Sequence, residues 1–245
     1  MVGAGEATAG EGGPAAGPAW LAGLLQTTDP LFPTGGYAHS LGLEPWAEEV
    51  DLGGSAGLAG FLHTQVGPSL ARVELPYLRE LCRTTLAGEW LEVAALEEEI
   101  HAWKWSGELR EASLAQGRGR LRLLDRLWPD SELLRGYRSA RAEGIVRGHH
   151  LGVTALQAGM LGVPSGAALA AYAYQTLANH AAAAVKILRI SAEGAQVALR
   201  GALARLEEWL CEAAALPVEE AGWFAPAFDI ASARHATAFA RLFLS

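Results

Sequence analysis

Apolar residues return along this chain every three or four positions, and no run of Val, Ile or Thr alternates with polar residues at period two. The pattern predicts helices and no strands. Trp20 to Thr27 reads as a first helix, closed before Asp29-Pro30 because the residue preceding a proline is driven out of the α region. Leu31 to Gly36 reads as a loop. Tyr37 to Glu49 reads as a second helix with Pro45 in its first turns or at a kink. Ser55 opens a third helix through Val66, and Gly67-Pro68 reads as its break. Further helices are predicted from Ser69 to Leu86, Glu89 to Trp105, Glu108 to Leu127, Ser131 to Glu143, Gly148 to Leu161, Pro164 to Ile190, Glu193 to Ala215 and Ile230 to Phe243. Ser131 has N-cap chemistry.

The helix opened by Pro164 is the most informative. It carries Ala167, Ala168, Ala170, Ala171, Ala173, Ala178 and the run Ala181 to Ala184. Small side chains on every face let neighbours approach from several directions, which suits a central helix. The expected architecture is all-α, a compact bundle of about ten helices around this Ala-rich helix, with no internal repeat.

Composition narrows the reading. A chain of 245 residues, 51% hydrophobic and 19% charged, can bury a sizeable core. We expect residues 19–245 to form one domain behind a Gly/Ala/Pro-rich flexible tail over 1–18. That tail lacks the basic and apolar regions of a secretory signal. The apolar stretch from Pro164 to Val185 is interrupted by Gln175, Asn179 and His180, which argues against a membrane span. A cytoplasmic protein is expected. Cys82 and Cys211 stand far apart, with no disulfide framework or zinc spacing, and read as buried thiols.

The net charge of -8 argues against a nucleic-acid surface. There is one local exception. From Arg110 to Arg147 nine arginines (110, 118, 120, 122, 126, 135, 138, 141 and 147) stand against five acids, Glu111, Asp125, Asp130, Glu132 and Glu143. The segment is either a solvated, salt-bridged face or a docking patch.

Chemistry-bearing residues are denser in one place. From Leu24 to Glu44 the chain runs through a helix end, a turn closed by Pro30 and Pro33, the pair Gly35-Gly36, and a segment displaying Tyr37, His39, Ser40 and Glu44. Pro33, Gly35 and Gly36 read as a structural turn. No Gly-Lys-Ser/Thr follows and no strand precedes, so this is not a phosphate loop. Adjacent His39 and Ser40 diverge by about 100° on a helix and fail as a catalytic pair. Of the seven histidines only His149-His150 cluster, and they too would point apart. Glu97-Glu98-Glu99 reads as a solvated helix face. The ending Ala240-Arg241-Leu242-Phe243-Leu244-Ser245 is unusually apolar for a terminus and is expected to dock, with Arg241 and Phe243 as anchors.

The segment from Leu24 to Glu44 resembles the opening motif of the urease accessory protein F (UreF) family, in which a helix ending in LLQ leads to a Pro-x-Gly-Gly-aromatic turn and then S-x-G-L-E. Other segments agree in order. Arg110 to Gly117 is similar to the family's R-x-x-S-x-x-x-G helix, and His149 to Pro164 to its His-led helix ending in LG-x-P. Ala171 to Asn179 with Ala184-Val185-Lys186 is similar to its long central helix, and His235 to Ser245 to its RLF-x-S terminus. The chain departs from the pattern after Lys186, where Arg189-Ile190-Ser191-Ala192 replaces a Pro-Leu-Gly-Gln turn, and at Ala236, where Glu is usual.

The resemblance implies a non-enzymatic scaffold with no catalytic residues, no bound metal and no cofactor of its own. By the same resemblance it would form a homodimer, bind a UreD/UreH-type scaffold protein and recruit a UreG-type GTPase for nickel insertion into apo-urease. Tyr37, His39, Ser40, Glu44 and Lys186 are then candidates for the GTPase face, and Arg241, Phe243 and Ser245 for the scaffold contact. Two other readings stay open: an all-helical metal-dependent enzyme using His149 and His150, or a UreF-like scaffold serving another metalloenzyme.

Overall fold

The computed structural model describes residues 17–29, 32–34, 40, 42–104 and 106–234, and among these every regular element is helical. The chain starts with α1 (Leu21–Thr28), α2 (Leu43–Glu49) and α3 (Ser55–Phe61), and continues through the short α4 (Gly67–Ser69) into α5 (Leu75–Ala87). Next come α6 (Trp90–Trp103), α7 (Gly107–Leu127), α8 (Glu132–Ala142), α9 (His150–Leu161) and α10 (Ser165–Ile187). The described part closes with α11 (Ala192–Leu203), α12 (Leu206–Ala215), a 3-10 turn (Val218–Glu220) and α13 (Pro226–Arg234).

The break expected at Gly67-Pro68 does not occur. Helical structure runs unbroken from 55 to 87, with two π-helical stretches, Leu62–Val66 and Leu70–Glu74, set before α4 and α5. Pro68 and Pro76 fall in the first turns of α4 and α5, where the wider π turn has already reset the ladder and a missing N–H is tolerated. Gly67 keeps helical dihedrals ahead of Pro68 because it has no Cβ to meet the proline ring. The same lack of a side chain admits Trp209 of α12, whose ring would lie 2.1 Å from a Cβ placed there.

Three other boundaries move. The second helix begins at Leu43, not Tyr37: Ser40 lies outside it and Gly42 takes a left-handed φ of 89°, so Pro45 falls in the first turn. The stretch predicted from Glu193 to Ala215 is two helices, because Ala204 and Arg205 drift to a ψ near zero and turn the chain between α11 and α12. The alanine-rich helix stops at Ile187, before Arg189 adopts a φ of 52°. Ser131 caps α8 as expected, its Oγ accepting from the Leu134 N–H at 3.3 Å.

The core is a continuous apolar cluster drawing on residues from Leu43 to Ala213. α10 packs on α1, α2, α5, α9, α11 and α12, with Ala168, Ala173, Ala181, Ala183 and Ala184 buried, as its small side chains permit. α9 shares the centre, wedged between α5 and α7 and buried continuously from Leu151 to Ala158. Cys82 is half-buried and burial pushes its thiol up to about 12. Cys211 is exposed, contrary to expectation, since it lies on α12 across from the buried Trp209 and Ala213. Among the described residues no helix is long and apolar enough to cross a membrane.

Candidate functional site

The opening motif is held from beneath by a buried polar network. Thr27, at the end of α1, donates to the Gly23 carbonyl at 2.8 Å and accepts from Gln157 Nε2 of α9 at 2.6 Å. Gln157 Oε1 in turn accepts from Arg120 Nη1 of α7, and Arg120 Nη2 donates to Gln175 Oε1 of α10 at 2.9 Å. Arg120 is 1% exposed and its guanidinium sits 5.7 Å from the centroid of the Phe32 ring. Burial pushes its pKa down to about 10, which leaves it charged at neutral pH. A cation is thus stabilised here by amide oxygens and an aromatic face. One residue before it, Gly119 lets α7 touch the motif's backbone: a Cβ there would meet the Thr34 carbonyl oxygen at 2.5 Å.

Arg120 belongs to the arginine-rich segment expected to be a solvated face or a docking patch, and the structure buries it instead. The sequence carried a weak signal of the network, because Gln157 is the only amide side chain in the apolar run of α9 and Gly117 and Gly119 flank the arginine helix face. Ser40 and Glu44 are also buried, at 1% and 5% exposure, and Pro33 is exposed. Lys186 is exposed in the last turn of α10. Gly35, Gly36, Tyr37, His39, Arg241, Phe243 and Ser245 lie outside the described residues.

A second polar cluster closes the start of α9. Glu97, expected on a solvated face, is fully buried. Its carboxylate accepts from the backbone N–H groups of Arg147, Gly148 and His149 at 2.6, 2.8 and 3.0 Å and from the Tyr137 hydroxyl at 3.2 Å. It therefore supplies from α6 the acceptors for the backbone N–H groups of the segment that leads into α9, up to its N-cap His149. Burial pushes the Glu97 carboxyl above its ordinary value, against the pull of these four donors. Its neighbours behave differently: Glu98 is exposed and pairs with Arg147 at 2.6 Å, and Glu99 accepts from the Tyr77 hydroxyl at 2.6 Å.

His149 and His150 diverge as their adjacency requires. His149 Nδ1 lies 3.0 Å from Ser113 Oγ and its Nε2 3.2 Å from His101 Nδ1. His150 faces Tyr172, with ring centroids 6.0 Å apart. Burial lowers the His149 pKa to about 4, helped by the nearby Lys104 charge, and burial holds His150 well below its ordinary value. Both imidazoles are neutral at pH 7. The Ser113–His149 distance is one a nucleophile and base would have, yet Ser113 and His149 are 6% and 0% exposed and the other ring nitrogen meets an imidazole, not a carboxylate. Ser113 Oγ also accepts from the His150 N–H at 3.3 Å, which makes it a helix cap. Among the described residues no group of three or more His, Cys, Asp or Glu is arranged to hold a metal ion.

A family model for UreF matches residues 53–203, the span from α3 to α11 that contains the Glu97 cluster and, of the first network, Arg120, Gln157 and Gln175. The chain belongs to the UreF family. It is 33% identical to the urease accessory protein UreF of Azoarcus sp. over 236 residues, covering 95% of this chain and 98% of that one. It is 29% identical to the urease accessory protein UreF of Kocuria rhizophila, covering 93% and 97% of the two chains. A bifunctional urease accessory protein UreEF of Bordetella bronchiseptica is 30% identical over 92% of this chain, which spans 52% of that longer protein. These relatives are named as accessory proteins, not as enzymes. The likeness extends beyond residues 53–203 to nearly the whole chain, so the opening motif and its buried support belong to it as well.

Proposed function

We propose that this family member is a non-enzymatic, cytoplasmic urease accessory protein: a homodimer, each copy one domain over 19–245, that binds a UreD/UreH-type scaffold and recruits a UreG-type GTPase for nickel insertion into apo-urease. The observation that carries the reading is the end-to-end likeness to proteins named urease accessory protein UreF. The fusion in Bordetella bronchiseptica supports it, since there a UreF-like region works within one chain with a second accessory activity.

The geometry suits a scaffold. Polar groups that could do chemistry are spent inside on closing helix ends and joining helices, as Glu97, Ser113, Gln157 and Gln175 show. Lys186, exposed at the end of α10, is a candidate for the GTPase face, together with Tyr37, His39 and the buried Ser40 and Glu44 of the opening motif. Arg241, Phe243 and Ser245 are the candidates for the scaffold contact. The dimer would couple nucleotide state to nickel handover by binding the two GTPase states unequally.

The test is co-expression with a UreD/UreH-type protein and a UreG-type GTPase, followed by sizing of the assembly with and without GTP and by assay of nickel-dependent urease activation. A GTP-responsive assembly that activates urease supports the reading. Turnover by the isolated chain, abolished in His149→Ala, would replace it with the metal-enzyme reading. Activation of a different metalloenzyme and not of urease would reassign the client. Deleting residues 241–245 is expected to abolish capture of the scaffold protein, and full retention would exclude the terminus as its contact.

A further inference from the structure

The arginine-rich segment forms a groove. α7 and α8 run along its sides and the connection that enters α9 closes one end, enclosing about 880 Å³ lined by Arg118, Arg122, Arg135, Arg138, Arg141 and Arg147. Among the described lining residues Asp125 is the only acid, and the buried Leu121 and Val146 give the groove an apolar floor. In a chain with a net charge of -8, six guanidinium groups against one carboxylate make a strong local reversal.

Three of the six arginines already have acids at the rim. Arg138 pairs with Asp125 at 3.2 Å, Arg147 with Glu98 at 2.6 Å and Arg135 with Glu132 at 3.5 Å. Among the described residues Arg118, Arg122 and Arg141 have no ion-pair partner. Two of these stand one helical turn apart on α7, and Arg141 faces them from the last turn of α8.

We propose that this groove is a docking site for a carboxylate-bearing segment of a partner protein, with Arg118, Arg122 and Arg141 receiving its Asp or Glu side chains. The planar guanidinium fork takes carboxylates in paired hydrogen bonds, and Arg147 at the rim does so with Glu98, through Nε at 2.6 Å and Nη2 at 2.8 Å. A small-molecule pocket is mostly apolar and buries its ligand, whereas five of these six arginines are exposed. A nucleic-acid strand would bring an unbroken row of phosphates against Glu98, Asp125 and Glu132. A protein segment can place acids opposite the three unpaired arginines and leave the acidic rim alone. Lys186 is not among the groove's lining residues and the proposal uses none of the C-terminal residues, so it is tested independently of the roles given to them.

The test measures binding of a fluorescein-labelled deca-glutamate peptide to the full chain by anisotropy, with labelled dT20 and tripolyphosphate as competing chemistries. Wild-type protein is expected to bind the peptide with an affinity that falls as salt rises, and R118E/R122E to weaken it at least tenfold. R200E/R189E makes the same change of net charge at exposed positions away from the groove and is expected to leave binding within twofold. Circular dichroism melts establish that both variants fold. An equal loss in the two double variants would overturn the proposal, because net charge alone would then explain binding. Tighter binding of dT20 or tripolyphosphate than of the peptide would overturn it in favour of a phosphate-bearing ligand, and no measurable peptide binding at low salt would overturn it outright.

Discussion

The Arg120 guanidinium and the Gln157 carboxamide meet where α7 crosses α9, and through them α1 and α10 are tied to the same buried point. A buried cation is costly unless its donors are met, and here amide oxygens accept from Nη1 and Nη2, while Nε has no partner among the described residues. Gln157→Leu keeps the volume and removes the acceptor, so it should destabilise the fold by about 2–4 kcal/mol. Arg120→Met should also destabilise, and R120M/Q157L should cost less than the sum of the two, because neither partner is then left stranded. Urea unfolding of the four proteins checks this. A Q157L midpoint equal to wild type would mean the network adds nothing to stability.

Glu97 makes a parallel prediction at the other end of α9. In Glu97→Gln one carboxylate oxygen becomes an NH2 group facing the backbone N–H donors of residues 147–149. The loss should be about 2–3 kcal/mol. In a chain of this size that lowers Tm by roughly 2–4 °C per kcal/mol. Glu98→Gln, changed at an exposed pair, should shift Tm by far less. Equal shifts in the two variants would show that the capping geometry has no energetic consequence.

Acid sensitivity follows from His149. Its folded pKa of about 4 lies below the ordinary 6.5, so between these values the unfolded chain binds the extra proton. Stability is fully present above 6.5 and is lost as pH falls toward 4, by up to about 3 kcal/mol from this group. His150 adds to the loss with the same sign. Glu97, whose pKa is raised, acts oppositely: its contribution falls as pH rises above the ordinary carboxyl value. The difference between wild type and His149→Gln isolates the first effect, and urea midpoints from pH 7 to 4.5 should converge as the wild type weakens. Parallel profiles would refute the assignment.

These groups also show how far the sequence could be read. Period and alanine content revealed the helices and the central place of α10, because each depends on local pattern. A run of three glutamates reads as solvated, and only the arrival of 147–149 from about fifty positions away gives Glu97, the first of them, a buried role. Arg120 was hidden for the same reason, since its acceptors lie on α9 and α10. The split between α11 and α12 falls at Ala204 and Arg205, neither of them a helix breaker, with Gly201 still inside α11. Family motifs draw attention to Leu24 to Glu44, and the polar groups beneath that segment come from Gln157 and Gln175, distant in sequence.

The π-distorted run from 55 to 87 yields a paired test with opposite signs. A Cβ on Gly60 would meet nothing within 4 Å, and the residue is inside α3. Gly60→Ala should therefore stabilise by about 0.5–1 kcal/mol, because alanine loses less backbone freedom on folding. Gly67→Ala gains the same entropy yet drives a methyl group to 2.1 Å from the Trp209 ring, which is itself 3% exposed and cannot move without shifting α12. Overpacking of this kind costs about 1–3 kcal/mol, so the net change should be destabilising. Thermal melts decide the sign for each variant. If G67A were as stable as G60A, α12 would not be seated on the helix where the proline pair was expected to break it, and the continuity of that run would lose its physical explanation.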